Sequence, residues 1–289
     1  MAHPQIAVFA RLAKENSQPT RLIAGQKTLL SRTMHDIRYD AIHDEFMVTN
    51  PFAQAIMVYR GGAHGEEAPI RVIMGPNTQI SGSAYAGVDR LDVDPIHDEI
   101  LVPTGTSILV FPRTANGDVA PIRIIKGPET MLRGAQTLAV DPVNNVIVSS
   151  FGSSSRLDPG DPRAGGLTAG TGGLLIFNRT DNGNVKPQRV IYDDRTGIVR
   201  INQLQTYPPK SLLVAAMPGA GNEQEPEGVF VGVWSIHDDG NVAPKWKIHG
   251  PASLMKKPRG VTLNPKNKEV IVSDMRLNAV LTFYFPEMF

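Results

Sequence analysis

Ile108-Leu-Val-Phe111-Pro-Arg-Thr-Ala-Asn-Gly117-Asp-Val-Ala-Pro121-Ile-Arg123-Ile-Ile-Lys-Gly127-Pro128-Glu-Thr130-Met-Leu132 is one copy of a pattern that returns along the chain. Its relatives begin at Ile6, Ile56, Leu174 and Val231, and a truncated copy begins at Val280. Aligned on Pro19, Pro69, Pro121, Pro187 and Pro244, the copies are 50, 52, 66 and 57 residues apart. Self-similarity at this period means that each unit is one small supersecondary element that cannot bury its own face and must stack on its neighbours.

Within each copy the first run is β-branched and carries an aromatic: Phe9, Tyr59, Phe111, Phe177, Trp234, and Phe283 in the truncated copy. Such a run reads as a strand. Asn116-Gly117 then signals a tight turn, because glycine accepts positive φ. The segment after the aligned proline (Ile122-Arg-Ile-Ile, Gln188-Arg-Val-Ile) reads as an outer strand, where a proline leaves no ladder N–H missing. A turn follows in which a hydroxyl recurs as Thr28, Thr78, Thr130, Thr196 and Ser253. These hydroxyls are read as structural, bonding nearby backbone. Two further strands end near Asp40, Asp94, Asp141, Tyr207 and Asn264, and on Val48, Val102, Val148, Val214 and Val272.

Four strands per roughly 50 residues with no helix pattern predict an all-β fold, a single β-propeller of four-stranded blades over residues 1–289. The strand count favours five blades with one extra strand, and six with an incomplete blade stays open. The N-terminal hairpin (6–11 and 20–23) is expected to join the C-terminal blade (259–285), closing the ring and removing open edges.

The signature resembles the NHL-like propeller repeats common in bacterial proteins, over nearly the whole chain. It is more distantly similar to gluconolactonase-like propellers. The resemblance implies the propeller fold. It does not select a function, because such propellers include scaffolds, binders, lactonases and lyases. Gluconolactonase-like propellers hold a divalent cation, such as calcium, with Glu, Asn, Asn and Asp. Here Asn202 and Asp89 match in kind, whereas Gln136 and Arg259 do not, so no metal ligand is assigned and a cation at the mouth stays an expectation of the resemblance alone.

Composition narrows the function classes. Lys plus Arg is 29 and Asp plus Glu is 28, a net charge of +1. A nucleic-acid partner is not expected without a basic excess or stripe. With no cysteine, disulfides and thiol chemistry are excluded. No apolar run approaches the ~20 residues of a membrane span. Met1-Ala-His-Pro-Gln carries no signal-peptide pattern, so the chain as written reads as cytoplasmic, or as secreted where a leader has been removed.

The site is sought where the copies stop agreeing. At the start of each innermost strand stand His35, Asp89, Gln136, Asn202 and Arg259, polar and all different. The next positions add Asp36, Arg90 and Gln203, and two further on stands Arg38. Buried without partners, each would cost roughly 1–3 kcal/mol, so they face water, one another or a ligand. Cross-blade pairs Asp36–Arg90 and Arg38–Asp92 are the structural expectation. The functional one is a pocket for a small polar or anionic ligand, with Asp36, Arg38, Arg90, Gln136, Asn202, Gln203 and Arg259 in binding roles. His35 and Asp89 are the candidate acid/base pair if the pocket is catalytic, as in a lactonase or lyase. His43 and His97 lie on turns at the opposite end and are read as structural. Insertions at about 151–172 and 218–228 fall on the mouth face as a partial cover. That loop-rich face, with Tyr85 and Phe151, is also the candidate surface for a protein partner.

Overall fold

The computed structural model describes residues 4–32, 34–80, 88–152, 172–219 and 228–289. The chain is all-β, with no α-helix among the described residues, only single turns of 3-10 helix. It forms a five-bladed β-propeller. The first blade comprises β3–β6 (Ile37–Asp40, Glu45–Asn50, Ala55–Arg60, Arg71–Ile73), the second β7–β10 (Asp92–Asp94, Glu99–Pro103, Ser107–Pro112, Arg123–Lys126). The third is β11–β14 (Leu138–Asp141, Val146–Phe151, Gly173–Asn178, Arg189–Tyr192), the fourth β15–β18 (Gln203–Tyr207, Leu212–Pro218, Val229–Ser235, Trp246–His249). Each is an antiparallel four-stranded meander in chain order. The fifth blade has three strands, β19–β21 (Pro258–Asn264, Glu269–Asp274, Ala279–Tyr284), and the N-terminal hairpin β1–β2 (Gln5–Val8, Arg21–Ala24) is a sheet of its own. The first strands of successive blades pack side by side around the axis.

The recurrent apolar residues become layers between blades. Met47, Ile56, Val58 and Ile73 of the first blade meet Ile100, Val102, Leu109 and Phe111 of the second. Equivalent layers lie between the second and third, third and fourth, and fourth and fifth blades. In the first layer of the series Ile6 and Ile23 of the hairpin pack on Phe46, Val48, Met57 and Tyr59. Among the described residues no helix is long and apolar enough to cross a membrane.

The recurrent hydroxyls do what the turns require. Oγ of Thr28, Thr78, Thr130, Thr196 and Ser253 donates to the carbonyl three residues earlier at 2.5–2.7 Å. His43 and His97 bond Asp40 and Asp94 at the opposite end, as read from the repeat.

Neighbouring blades are also linked by charge. Glu45 of the first blade is held by Arg71 of its own fourth strand at 2.9 Å and by Arg113 of the second blade at 3.1 Å. Glu99 of the second blade is held by Arg123 at 2.6 Å and by Arg179 of the third at 3.0 Å. Burial pushes both carboxyls up, but the arginines outweigh it and hold them below the usual carboxylate range.

One expectation about closure is corrected. The hairpin does meet the fifth blade, through Arg11 and Glu269 at 2.6 Å. It does not extend that blade's sheet: β1 pairs with β2, and β21 already holds the third place beside β20. The surplus strand foreseen in the count is therefore β1. The insertions at 151–172 and 218–228, apart from their ends, and Tyr85 lie outside the described residues.

Candidate functional site

Each first strand enters the ring from the mouth, so its leading residues project toward the axis there. A cavity of about 360 Å³ opens at this end, between the hairpin, β3, β19 and β20. Five of the nine candidate residues line it: His35, Asp36, Arg90, Gln203 and Arg259. Asp89 stands beside it, hydrogen-bonded through Oδ1 to His35 Nδ1. Asn202 holds Arg259 in place, accepting from Nη1 at 2.8 Å and donating to its carbonyl at 2.8 Å.

The remaining two candidates fall elsewhere. Arg38 lies below the cavity, 5 % exposed, with Nε on the Leu91 carbonyl at 2.9 Å and Nη2 on the Leu204 carbonyl at 3.0 Å. It is a strut across the axis rather than a pocket residue. Gln136 is not part of the lining; its backbone N–H donates to Ser150 Oγ at 3.4 Å. The cause is the eccentric position of the cavity, on the side of the first and fifth blades, whereas Gln136 begins the third.

The ion pairs differ in part from those expected. Arg38 lies 3.6 Å from Asp92, as read from the sequence, and 3.4 Å from Asp36. Asp36 does not pair with Arg90. It accepts from Gln203 Nε2 at 2.6 Å and from the Leu91 N–H at 3.1 Å. Arg90 turns to the carbonyls of His35 at 2.7 Å and Asn202 at 3.1 Å, with Asp89 at 3.7 Å. Both oxygens of Asp36 are engaged by Gln203 and the Leu91 N–H, while Arg90 satisfies backbone carbonyls.

Sequence reasoning missed Gln5, Ile6, Met34 and Ser273 in the lining. It also missed Thr49, whose Oγ1 accepts from the Asp36 N–H at 3.1 Å and donates to the Asp89 carbonyl at 3.2 Å. Ile6 read only as strand core, and no polar signature distinguished the others from their repeat equivalents.

Electrostatically the lining carries two arginines against one carboxylate. Burial pushes Asp89 up, but the His35 hydrogen bond and the charges of Arg90, His35 and Arg259 outweigh it, so its carboxyl titrates below the ordinary 3.8. A carboxyl depressed by folding adds stability that is complete above its unfolded value and fades as pH falls through its lower folded value. Asp89→Asn is therefore expected to cost under about 1 kcal/mol at pH 7, since both side chains are partly exposed. Thermal unfolding of the two proteins should converge as pH falls below 3.8; a constant difference at all pH values would contradict this account.

The residues do not fit the cation site that the gluconolactonase-like resemblance implies. Among the described residues no group of three or more His, Asp or Glu side chains is arranged to hold a metal. Asp89 is engaged by His35, and Asn202 presents its oxygen to the Arg259 guanidinium.

No protein family's profile matches the chain, and no curated protein does. Among solved structures the chain is similar to Kuenenia stuttgartiensis Hydrazine Synthase, at 11 % identity and a TM-score of 0.55 over 83 % of this chain. The chain spans about 55 % of the length of that structure. At this identity the likeness shows a propeller fold and nothing of the chemistry.

Proposed function

We propose that this propeller is a binding module whose mouth cavity takes a small polar anion, such as a carboxylate or sugar acid. The observation that carries the reading is the cavity of about 360 Å³ lined by Arg90 and Arg259, with the neighbouring carboxylates engaged elsewhere, Asp36 by Gln203 and backbone and Asp89 by His35. A concave site with a few convergent polar groups is the ordinary form of a small-molecule site. Guanidinium groups favour carboxylates, which they meet with paired hydrogen bonds.

The test is a thermal-shift and calorimetric screen with sugar acids, matched neutral sugars and lactones. Acids are expected to raise the melting temperature where neutral sugars do not, and Arg259→Ala is expected to weaken an acid by about tenfold or more. Equal responses to acid and neutral sugar, or none to either, would refute the reading.

The His35–Asp89 pair supports a second reading, a lactonase- or lyase-type enzyme using the same pocket. His35 is 39 % exposed, with one ring nitrogen engaged by a carboxylate, the arrangement a general base needs. Turnover of a lactone that His35→Ala abolishes while acid binding survives would favour it over binding alone.

A further inference from the structure

The apolar layers run hairpin to first blade, then first to fifth in order, and among the described residues no layer joins the fifth blade to the hairpin. The hairpin nevertheless relates to both neighbours as a blade does. Its Ile23 bridges Gly65 of the first blade, as Ile73 bridges Gly117, Ile125 bridges Gly183 and Ile191 bridges Gly240. Its Arg11 reaches Glu269 of the fifth blade, as Arg113 reaches Glu45 and Arg179 reaches Glu99. The hairpin thus meets its two neighbours as the outer strands of a blade do, and no described strand stands between it and β21.

The consequence is exposed apolar surface at positions that are closed everywhere else. Ile37 is 48 % exposed, whereas its equivalents Leu91, Leu138, Leu204 and Val261 are buried. Val280 of β21 is 67 % exposed, whereas Ile56, Ile108, Leu174 and Val231 are buried. In the other four blades the carbonyls of Val58, Val110, Ile176 and Val233 accept from the N–H of Ile70, Ile122, Gln188 and Lys245, entering the fourth strand. In that register the β21 carbonyl is that of Thr282, and β21 has no fourth strand beside it among the described residues. Ala279–Tyr284 contains no charge and no proline, the usual protections of a sheet edge.

Charge says what would fit there. Glu45 and Glu99 each hold two arginines, one from the next blade and one from their own fourth strand, Arg71 and Arg123. Glu269 holds Arg11 and Asn264, and the fourth-strand arginine is missing.

We propose that the open edge of β21 docks an extended segment of a partner protein, which adds as the fourth strand of the fifth blade and sets an arginine on Glu269. This is strand addition, in which backbone bonds give affinity and side-chain pockets give specificity. A second copy pairing through its own β21 would bring no basic residue to Glu269, so a basic, apolar partner segment fits better. The docking edge itself, β21, contributes no residue to the lining of the mouth cavity, whereas Ile37 does.

The probe is a synthetic peptide copying residues 119–126, which holds the Pro-Ile-Arg-Ile-Ile pattern of a resident fourth strand. Amide hydrogen exchange of residues 279–284 and an anisotropy titration provide the readouts. The peptide is expected to protect those amides and to saturate. N-methylation at the position of Ile122, or Arg→Gln at the position of Arg123, is expected to weaken it about tenfold. With Glu269→Gln protein the arginine and glutamine peptides are expected to bind alike. No protection of 279–284 at up to about 1 mM peptide, or equal affinity for all three peptides, overturns the proposal. Protection of these amides that rises with protein concentration in the absence of peptide also overturns it, since a second copy would then hold the edge.

Discussion

Arg38→Ala is expected to destabilise the protein by about 3–5 kcal/mol at pH 7, the range for removing one partner of a buried charge network. The guanidinium closes four interactions at once. It donates to the carbonyls of Leu91 and Leu204, on the second and fourth blades, and lies within 4 Å of Asp36 and Asp92. Alanine leaves both carbonyls without that donor and two carboxylates without their cation. Burial already pushes Asp92 above its ordinary value of 3.8, with Arg38 opposing and the Asp36 charge adding to the rise. Without Arg38 the rise grows. A carboxyl raised by folding is destabilising above its folded value and ceases to be so once protonated, so the deficit of the variant should shrink as pH falls through that value. Urea denaturation at pH 7 and at pH 5 measures this. Arg38→Lys restores charge but cannot span both carbonyls, and should recover part of the loss. A deficit under about 1 kcal/mol would mean that the axis is wet at this level, and would return Arg38 to the ligand-binding set.

The repeat made the blades legible because each blade solves the same packing problem with the same residues. Phe111 and Thr130 hold their places in the second blade for the same reasons as Tyr59 and Thr78 in the first. The mouth was legible by the complementary rule: leading residues that differ between blades are released from the shared task, and five of them do line one cavity. What could not be read is the direction of each side chain. Arg38 and Arg90 are alike in sequence, but Arg38 lies below the cavity and bonds the Leu204 carbonyl, while Arg90 lines the cavity and bonds the His35 carbonyl. The cavity's off-axis position was hidden as well. It follows from the hairpin forming a sheet of its own beside the first blade, which depends on whether β1 or β21 pairs with β20, two runs of the same pattern competing for one place.

Asp274→Ala is expected to cost about 3 kcal/mol or more, and to do so at the mouth. Asp274 is almost wholly buried at the end of β20. One carboxylate oxygen accepts from the N–H groups of Lys256 and Lys257, each at 2.7 Å, and the other from those of Arg276 and Leu277 at 3.0 and 3.1 Å. Hydrogen bonds to a charged group contribute roughly 1.5–3 kcal/mol each and do not add fully, so the figure is a lower bound. The carboxylate ties the segment entering β19 to the turn leaving β20. Arg259 follows Lys257 by two residues on that entering segment, so its guanidinium depends on a side chain outside the cavity lining. The variant should therefore bind acids more weakly than the intact protein, although no residue facing the ligand has changed. Asp94→Ala supplies the contrast. Asp94 is equally buried and accepts from the N–H groups of Ile96 and His97 and from the His97 ring, but at the opposite end of the second blade. It should lower stability to a similar extent and leave acid binding unchanged at temperatures where both variants are folded. If both variants lose binding in proportion to stability, Asp274 acts on the fold alone, and the mouth is not held as these bonds imply.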